Sequence, residues 1–243
     1  MFKVVAPMAG ITNASFLNNV IPLGFNVATL GGYSLDESTI KASRKIINRG
    51  RKEFDFPLDV IFAHIQNEVE LIKSVHPNVK VSANVRSITP QPIIDLNNIE
   101  KLDIIEINCH CRQKEILDIG CGQNMLKRDD LSDFISNIVD NVDCEVSVKI
   151  RANVEGVNTL EIAHMIENCG VDYLHIDAMK KGFNHADWEL LEKVCNDVDI
   201  NIIGNNSVNS SSNLEKMIGT GVDGFSIARS VISGNLDFNI SHF

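Results

Sequence analysis

The stretch EVSVKIRANVEGVNTLEIAHMIENCGVDYLHID, residues 145–177, holds two short apolar runs on either side of one helical pattern. EVSVKI (145–150) and YLHID (173–177) have the β-branched and aromatic content of strands, whereas NTLEIAHMIENCG (158–170) carries apolar residues at helical spacing and ends in glycine. A strand, a helix and a second strand form a βαβ unit, which requires the two strands to be parallel.

The same alternation continues in both directions. Further strand candidates are Lys3–Pro7, Asn26–Leu30, Lys80–Val85, Ile104–Asn108, Asn201–Gly204 and Gly224–Ala228, and between them lie helical patterns such as LSDFISNIVDNV (131–142) and SNLEKMIGTG (212–221). Eight strands alternating with helices in 243 residues predict a single (β/α)8 TIM barrel, with residues 1–243 as one domain and no second domain. A doubly wound open sheet is the alternative. Its marker is a glycine-rich loop after the first strand, but that position reads APMAGITNASF (6–16), and the one matching pattern, GTGVDG (219–224), leads from a helix into a strand.

Composition narrows the function classes. With 22 Lys+Arg against 32 Asp+Glu, the formal charge of −10 opposes non-specific binding to a phosphate backbone, so a nucleic-acid role needs a local basic patch. The segment KASRKIINRGRK supplies one: Lys41, Arg44, Lys45, Arg49, Arg51 and Lys52 are concentrated there as a candidate basic helix for an anionic partner. No apolar run reaches bilayer-spanning length and no signal peptide is visible, so a cytoplasmic protein with its six cysteines as thiols is expected.

Barrel chemistry sits at the C-terminal ends of the strands. Asn108 ends one strand and is followed by Cys109, His110, Cys111 and Arg112, where a thiol beside a cofactor can move a proton. Cys109, Cys111 and Cys121 lack the paired C-x-x-C spacing of structural zinc, and no metal is assigned. Lys149 and Arg151 share one face of a strand end, and two buried cations repel unless an anion or electron-rich ring lies between them. GNNSVNSSS and SIARSVISG follow the last two strands, where barrels commonly hold a phosphate on backbone N–H groups. Ser207, Ser210, Ser211 and Ser212 are equally good helix N-caps.

Taken in order, APMAGITN (6–13), DIIEINCHC (103–111), VSVKIR (146–151), YLHID, IIGNNSV (202–208) and GVDGFSIAR (221–229) resemble successive motifs of the tRNA-dihydrouridine synthase family. These flavin-dependent barrels are related to dihydroorotate dehydrogenases. The resemblance implies an FMN-dependent oxidoreductase acting on an activated C=C bond of a uracil-like ring, either in tRNA or free. It places Pro7 and Met8 against the flavin, Asn84 at a flavin-contacting position and Asn108 beside the substrate ring. Cys111 falls on the proton-donating cysteine, Lys149 on the lysine at the flavin's pyrimidine edge and His175 on the histidine close to flavin and substrate. Asn205, Asn206, Ala228 and Arg229 fall on the phosphate-binding turns.

The sequence also departs from the family pattern. His110 and Arg112 replace the Gly and Pro around the cysteine, Ile176 and Asp177 replace Gly and Arg after the histidine, and Asn206 and Ala228 replace glycines. The family's helical RNA-binding domain would follow the barrel, and nothing corresponding to it is expected before Phe243. Two alternatives accompany the main reading: a dihydroorotate dehydrogenase-like enzyme on a free pyrimidine, and a non-catalytic flavin- or phosphate-binding barrel.

Overall fold

The computed structural model describes all residues, 1–243. Its strands are β1 (Phe2–Val5), β2 (Val27–Ser34), β3 (Lys80–Arg86), β4 (Ile104–Cys109), β5 (Glu145–Arg151), β6 (Tyr173–Asp177), β7 (Asn201–Asn205) and β8 (Gly224–Ile227). Each pairs in parallel with its neighbours in sequence, and β8 pairs with β1, so the sheet closes as a (β/α)8 barrel. The largest boundary difference is β2, which runs on through Gly31, Gly32, Tyr33 and Ser34, with a register irregularity between Gly31 and Tyr33 against β3. Two consecutive glycines read as a strand end because they break the apolar pattern, but inter-strand hydrogen bonds need no side chain.

The helices are α1 (Ala14–Val20), α2 (Glu37–Asn48), α3 (Leu58–Val75), α4 (Gln91–Ile94), α5 (Lys114–Leu117), α6 (Leu131–Val139), α7 (Thr159–Asn168), α8 (Trp188–Asp197) and α9 (Ser211–Gly219). In α6 the buried residues Leu131, Phe134, Ile135 and Ile138 recur at i, i+3, i+4 and i+7, which is the stripe that faces the barrel. Short polar side chains start several helices by accepting orphan N–H groups: Asn13 for α1, Asp36 for α2, Asn158 for α7 and Ser210 for α9. No helix is long and apolar enough to cross a membrane.

Period-two alternation divides each strand between two different interiors. Ile105, Ile107 and Cys109 of β4 and Val146, Val148 and Ile150 of β5 point outward into a cluster of 59 buried residues between sheet and helices. On the other face, Val4, Val27, Ile104, Tyr173 and Ile203 form a small apolar layer low in the barrel. Above that layer the inward positions turn polar. Ser82, Asn84, Glu106, Asn108, Ser147, Lys149, His175, Asp177 and Ser226 are all buried, at the level where barrels are ordinarily filled by branched aliphatic side chains.

The basic segment is less positive than its sequence implies. The helix ends at Asn48, so residues 49–52 belong to the following loop, and acids from elsewhere meet half of its cations. Lys41 pairs with Glu37 at 2.8 Å, Arg44 with Asp55 at 2.8 Å and Arg49 with Glu115 at 2.6 Å. Lys45, Arg51 and Lys52 remain exposed without an ion pair.

Candidate functional site

The hub of the polar layer is Glu106 of β4, 2% exposed. Its Oε1 accepts from Asn84 Nδ2 at 2.8 Å, and its Oε2 accepts from His175 Nδ1 at 2.7 Å and Ser147 Oγ at 3.3 Å. Burial alone pushes this carboxyl up, but His175, Lys149 and Asn84 outweigh it and hold Glu106 down at about 2. Burial and the nearby Lys149 push His175 down to about 4 against the pull of Glu106, so the pair is a carboxylate beside a neutral imidazole. The ring therefore donates from Nδ1 and accepts at Nε2, where the Ser226 hydroxyl lies at 2.7 Å. Ser226 Oγ in turn accepts from Asn205 Nδ2 at 2.6 Å. Six strands, β3 to β8, are tied together by this chain of bonds.

At the mouth, Asn108 Nδ2 donates to Asn84 Oδ1 at 2.8 Å, while Asn108 Oδ1 accepts from the backbone N–H groups of His110 and Cys111 at 3.1 and 2.9 Å. Asn108 thus ends β4 and shapes the loop after it. Gly32 faces this pair: a Cβ there would sit 2.7 Å from Asn84 Oδ1. Gly32→Ala is expected to cost about 1–3 kcal/mol, measured by urea unfolding, because the overlap falls on a bonded amide and not on a free chain end.

A cavity of about 490 Å3 opens between the ends of β1, β5, β6, β7 and β8. That volume lies within the range of small-molecule and cofactor sites. Its walls include Pro7, His110, Lys149, Asp177, Arg229 and the turn from Asn205 to Asn209. Lys149 is 3% exposed, with no hydrogen bond or ion pair to the protein, and burial pushes its ammonium below the ordinary lysine range although Glu106 and Asp177 pull the other way. Arg151, by contrast, has a counterion: Asp177 Oδ2 lies 3.0 Å from its guanidinium. The anion called for between the two cations is therefore present for Arg151 and missing for Lys149.

The turn after β7 is the second unusual wall. Asn206 and Ser207 have φ of 98° and 58°, the left-handed region that favours glycine. The backbone N–H groups of Asn206, Ser207 and Val208 make no hydrogen bond within the protein, an arrangement suited to an anion. Asn206 keeps the glycine-type conformation by tethering its side chain: Nδ2 donates to Asp177 Oδ1 at 2.6 Å and Oδ1 accepts from the Ser207 hydroxyl at 2.7 Å. Asn206→Ala removes both bonds and keeps the strain, so a loss of about 2–3 kcal/mol is expected in thermal unfolding, while Asn206→Gly should lose clearly less.

The residues singled out from sequence thus fall into three places. Pro7, Lys149, Asn205, Asn206, Ala228 and Arg229 line the cavity together. Met8 stands beside it in a loop tied to β2 through Thr12, whose Oγ1 accepts from Met8 N at 3.0 Å and donates to Gly31 O at 2.7 Å. Asn84, Asn108 and the half-buried Cys111 lie on the β3–β4 side of the mouth, and His175 is wholly buried beneath, with both ring nitrogens engaged. Cys109 and Cys121 are packed in the outer core. Glu106 and Ser226 escaped the sequence reading. A lone acid inside the apolar run IIEIN was the available signal, since a carboxylate in a strand covered on both faces must be held by partners.

The comparisons agree with this architecture. A family model described as dihydrouridine synthase (Dus) matches residues 93–234. An uncharacterized protein of Methanocaldococcus jannaschii is 35% identical over 97% of this chain and 91% of its own length. tRNA-dihydrouridine synthase B of Vibrio vulnificus is 25% identical over 93% of this chain but only 66% of its own length, so this chain spans slightly less than two thirds of that enzyme. Among solved structures, FabK from Thermotoga maritima superposes with a TM-score of 0.60 at 12% identity, covering 94% of this chain and 58% of that one. N-acetylmannosamine-6-phosphate 2-epimerase from Clostridium perfringens gives 0.59 at 14% identity, covering 95% and 86%; both show the barrel alone. With the ordered strand-end motifs on a closed barrel and a family match over more than half its length, the chain belongs to the dihydrouridine synthase family.

Proposed function

We propose that this protein is an FMN-dependent oxidoreductase that reduces the C=C bond of a uracil-like ring, with uridine in tRNA as substrate. The observation that carries the reading is Lys149, a buried ammonium facing the cavity without an anionic partner. A buried charge left alone is costly, and an electron-rich ring edge or anion in the cavity relieves it. The unpaired N–H groups of residues 206–208 and the guanidinium of Arg229 suit the phosphate end of the same ligand. The residues present therefore fit FMN.

When bound, FMN supplies the hydride chemistry. Lys149 would steady negative charge at the pyrimidine edge, Arg229 and the 206–208 turn would hold the phosphate, and Pro7 and Met8 would back the ring. Asn84 and Asn108 present amide groups at the mouth, fixed by their mutual hydrogen bond. Asn108 also fixes the backbone at Cys111, the residue that the family resemblance offers as proton donor but that does not line the cavity. His175 acts from below, holding Glu106 and Ser226 in place.

An anionic substrate also needs positive charge outside the cavity. Lys45, Arg51 and Lys52 are the cations of the basic segment that no acid neutralises, and Lys52 packs beside Gly10 in the loop after β1. Reversing Arg51 and Lys52 to Glu should weaken binding of an unmodified tRNA transcript about tenfold or more at low salt and flatten its salt dependence, while FMN affinity stays the same. The function itself is tested by incubating FMN-loaded, reduced protein with that transcript. Uridine should gain two hydrogens by mass spectrometry; an unchanged transcript beside rapid reoxidation of the flavin by free uracil or orotate would move the assignment to a free pyrimidine.

A further inference from the structure

The titratable side chains on the cavity wall are His110, Lys149, Asp177 and Arg229; Cys111 is not among them. His110 and Asp177 form a pair, with His110 Nε2 2.7 Å from Asp177 Oδ2. Asp177 is fixed from three sides: Oδ1 accepts from Asn206 Nδ2 at 2.6 Å, and Oδ2 accepts from Arg151 NH1 at 3.0 Å as well as from the imidazole. His110 is fixed at its backbone by Asn108 Oδ1 at 3.1 Å.

The protonation pattern follows from these contacts. His110, Arg151 and Asn206 hold the Asp177 carboxyl well below the usual carboxylate range despite its burial. A carboxylate only accepts, so Nε2 of His110 carries a hydrogen. Burial pushes the imidazole below its ordinary value, with Lys149 and Arg151 reinforcing that and Asp177 opposing it. The ring is then neutral at pH 7, leaving a lone pair on Nδ1, which makes no hydrogen bond within the protein. Its charged or titratable neighbours are Asp177 and His175 on β6 and Lys149 and Arg151 on β5, with Arg112 following on its own loop and Arg229 across the cavity. Both members of the pair are departures from the family pattern, which has Gly and Arg at these two positions, and here they meet each other.

We propose that His110, oriented by Asp177, is a proton-transfer residue of the cavity, acting through Nδ1 on the bound ring. This rests on the uracil-reductase reading. When bound, reduced FMN would supply a hydride to one carbon of the C=C bond; protonated His110 would then give its Nδ1 proton to the displaced π pair at the other carbon. His110 returns to the neutral ring and takes its next proton from water. The positive charge it carries before transfer lies against the Asp177 carboxylate, the role an orienting aspartate plays beside a catalytic histidine. Asp177 is a positioning residue.

Two measurements test this. On flavin-free protein, nitrogen-15 NMR should show His110 as the Nε2–H tautomer at neutral pH, and Asp177→Asn should change the tautomer ratio. An Nδ1–H tautomer, or indifference to Asp177→Asn, overturns the proposal without involving flavin. On loaded protein, single-turnover reoxidation by unmodified tRNA transcript should speed up as pH falls through the His110 titration. His110→Gln should slow the reaction about 10²- to 10⁴-fold and remove that limb. A His110→Gln protein with wild-type rate and pH profile refutes the proposal. Failure of the wild-type protein to bind FMN refutes the flavin reading instead, and the NMR result then decides the His110–Asp177 pair.

Discussion

Lys149→Met is expected to weaken FMN binding by about 30- to 4,000-fold, the 2–5 kcal/mol typical of truncating one side of a buried charged contact. Flavin fluorescence quenching checks this. The same substitution should raise the stability of the flavin-free protein. Burial wins over the attraction of Glu106 and Asp177 and pushes the Lys149 ammonium down, so the unfolded chain holds its proton more tightly than the folded one. Methionine fills nearly the same space without a charge, and a gain of roughly 1 kcal/mol, about 2–4 °C in Tm, follows for a chain of this size. Opposite signs on affinity and stability separate a ligand-binding lysine from a structural one, for which both would fall together.

The second large effect is in the barrel interior. Glu106→Ala should cost about 3–5 kcal/mol, because it strands Asn84, His175 and Ser147 in a closed space and removes the carboxylate that acts most strongly on Lys149. Against a total of about 5–15 kcal/mol, that brings the variant close to the threshold of folding. Glu106→Gln keeps an acceptor for Asn84 and should cost clearly less. Acid titration supplies a third observable. Glu106 is lowered in the folded state to about 2, so its contribution is complete above the ordinary carboxylate value and disappears as pH falls toward 2. His175 is lowered to about 4, so the unfolded chain takes up a proton first and stability declines as pH falls from about 6.5 to 4. His175→Gln should flatten the decline in that upper window, read from urea midpoints at a series of pH values.

The barrel was legible because each strand carries an apolar outward row whatever its inward row contains. VSVKI and IIEIN read as strands from Val146, Val148 and Ile150 and from Ile105 and Ile107 alone. The strand-end rule then placed Lys149, Asn205, Asn206, Ala228 and Arg229 at one mouth, and they do share one cavity. What stayed hidden depends on contacts between distant parts of the chain. Glu106 and His175 are 69 residues apart, His110 and Asp177 67 apart, and neither spacing carries any local signal. The basic segment misled for the same reason: Asp55 and Glu115 neutralise Arg44 and Arg49 only after folding brings them near.

The most direct test is a titration of purified, flavin-stripped protein with FMN, followed by fluorescence and visible absorbance. A saturable one-to-one complex, with quenched emission and a perturbed flavin spectrum, whose midpoint Lys149→Met shifts about 30-fold or more to higher FMN, is the predicted result. Flavin that stays free and fully fluorescent in the presence of folded wild-type protein would contradict the account.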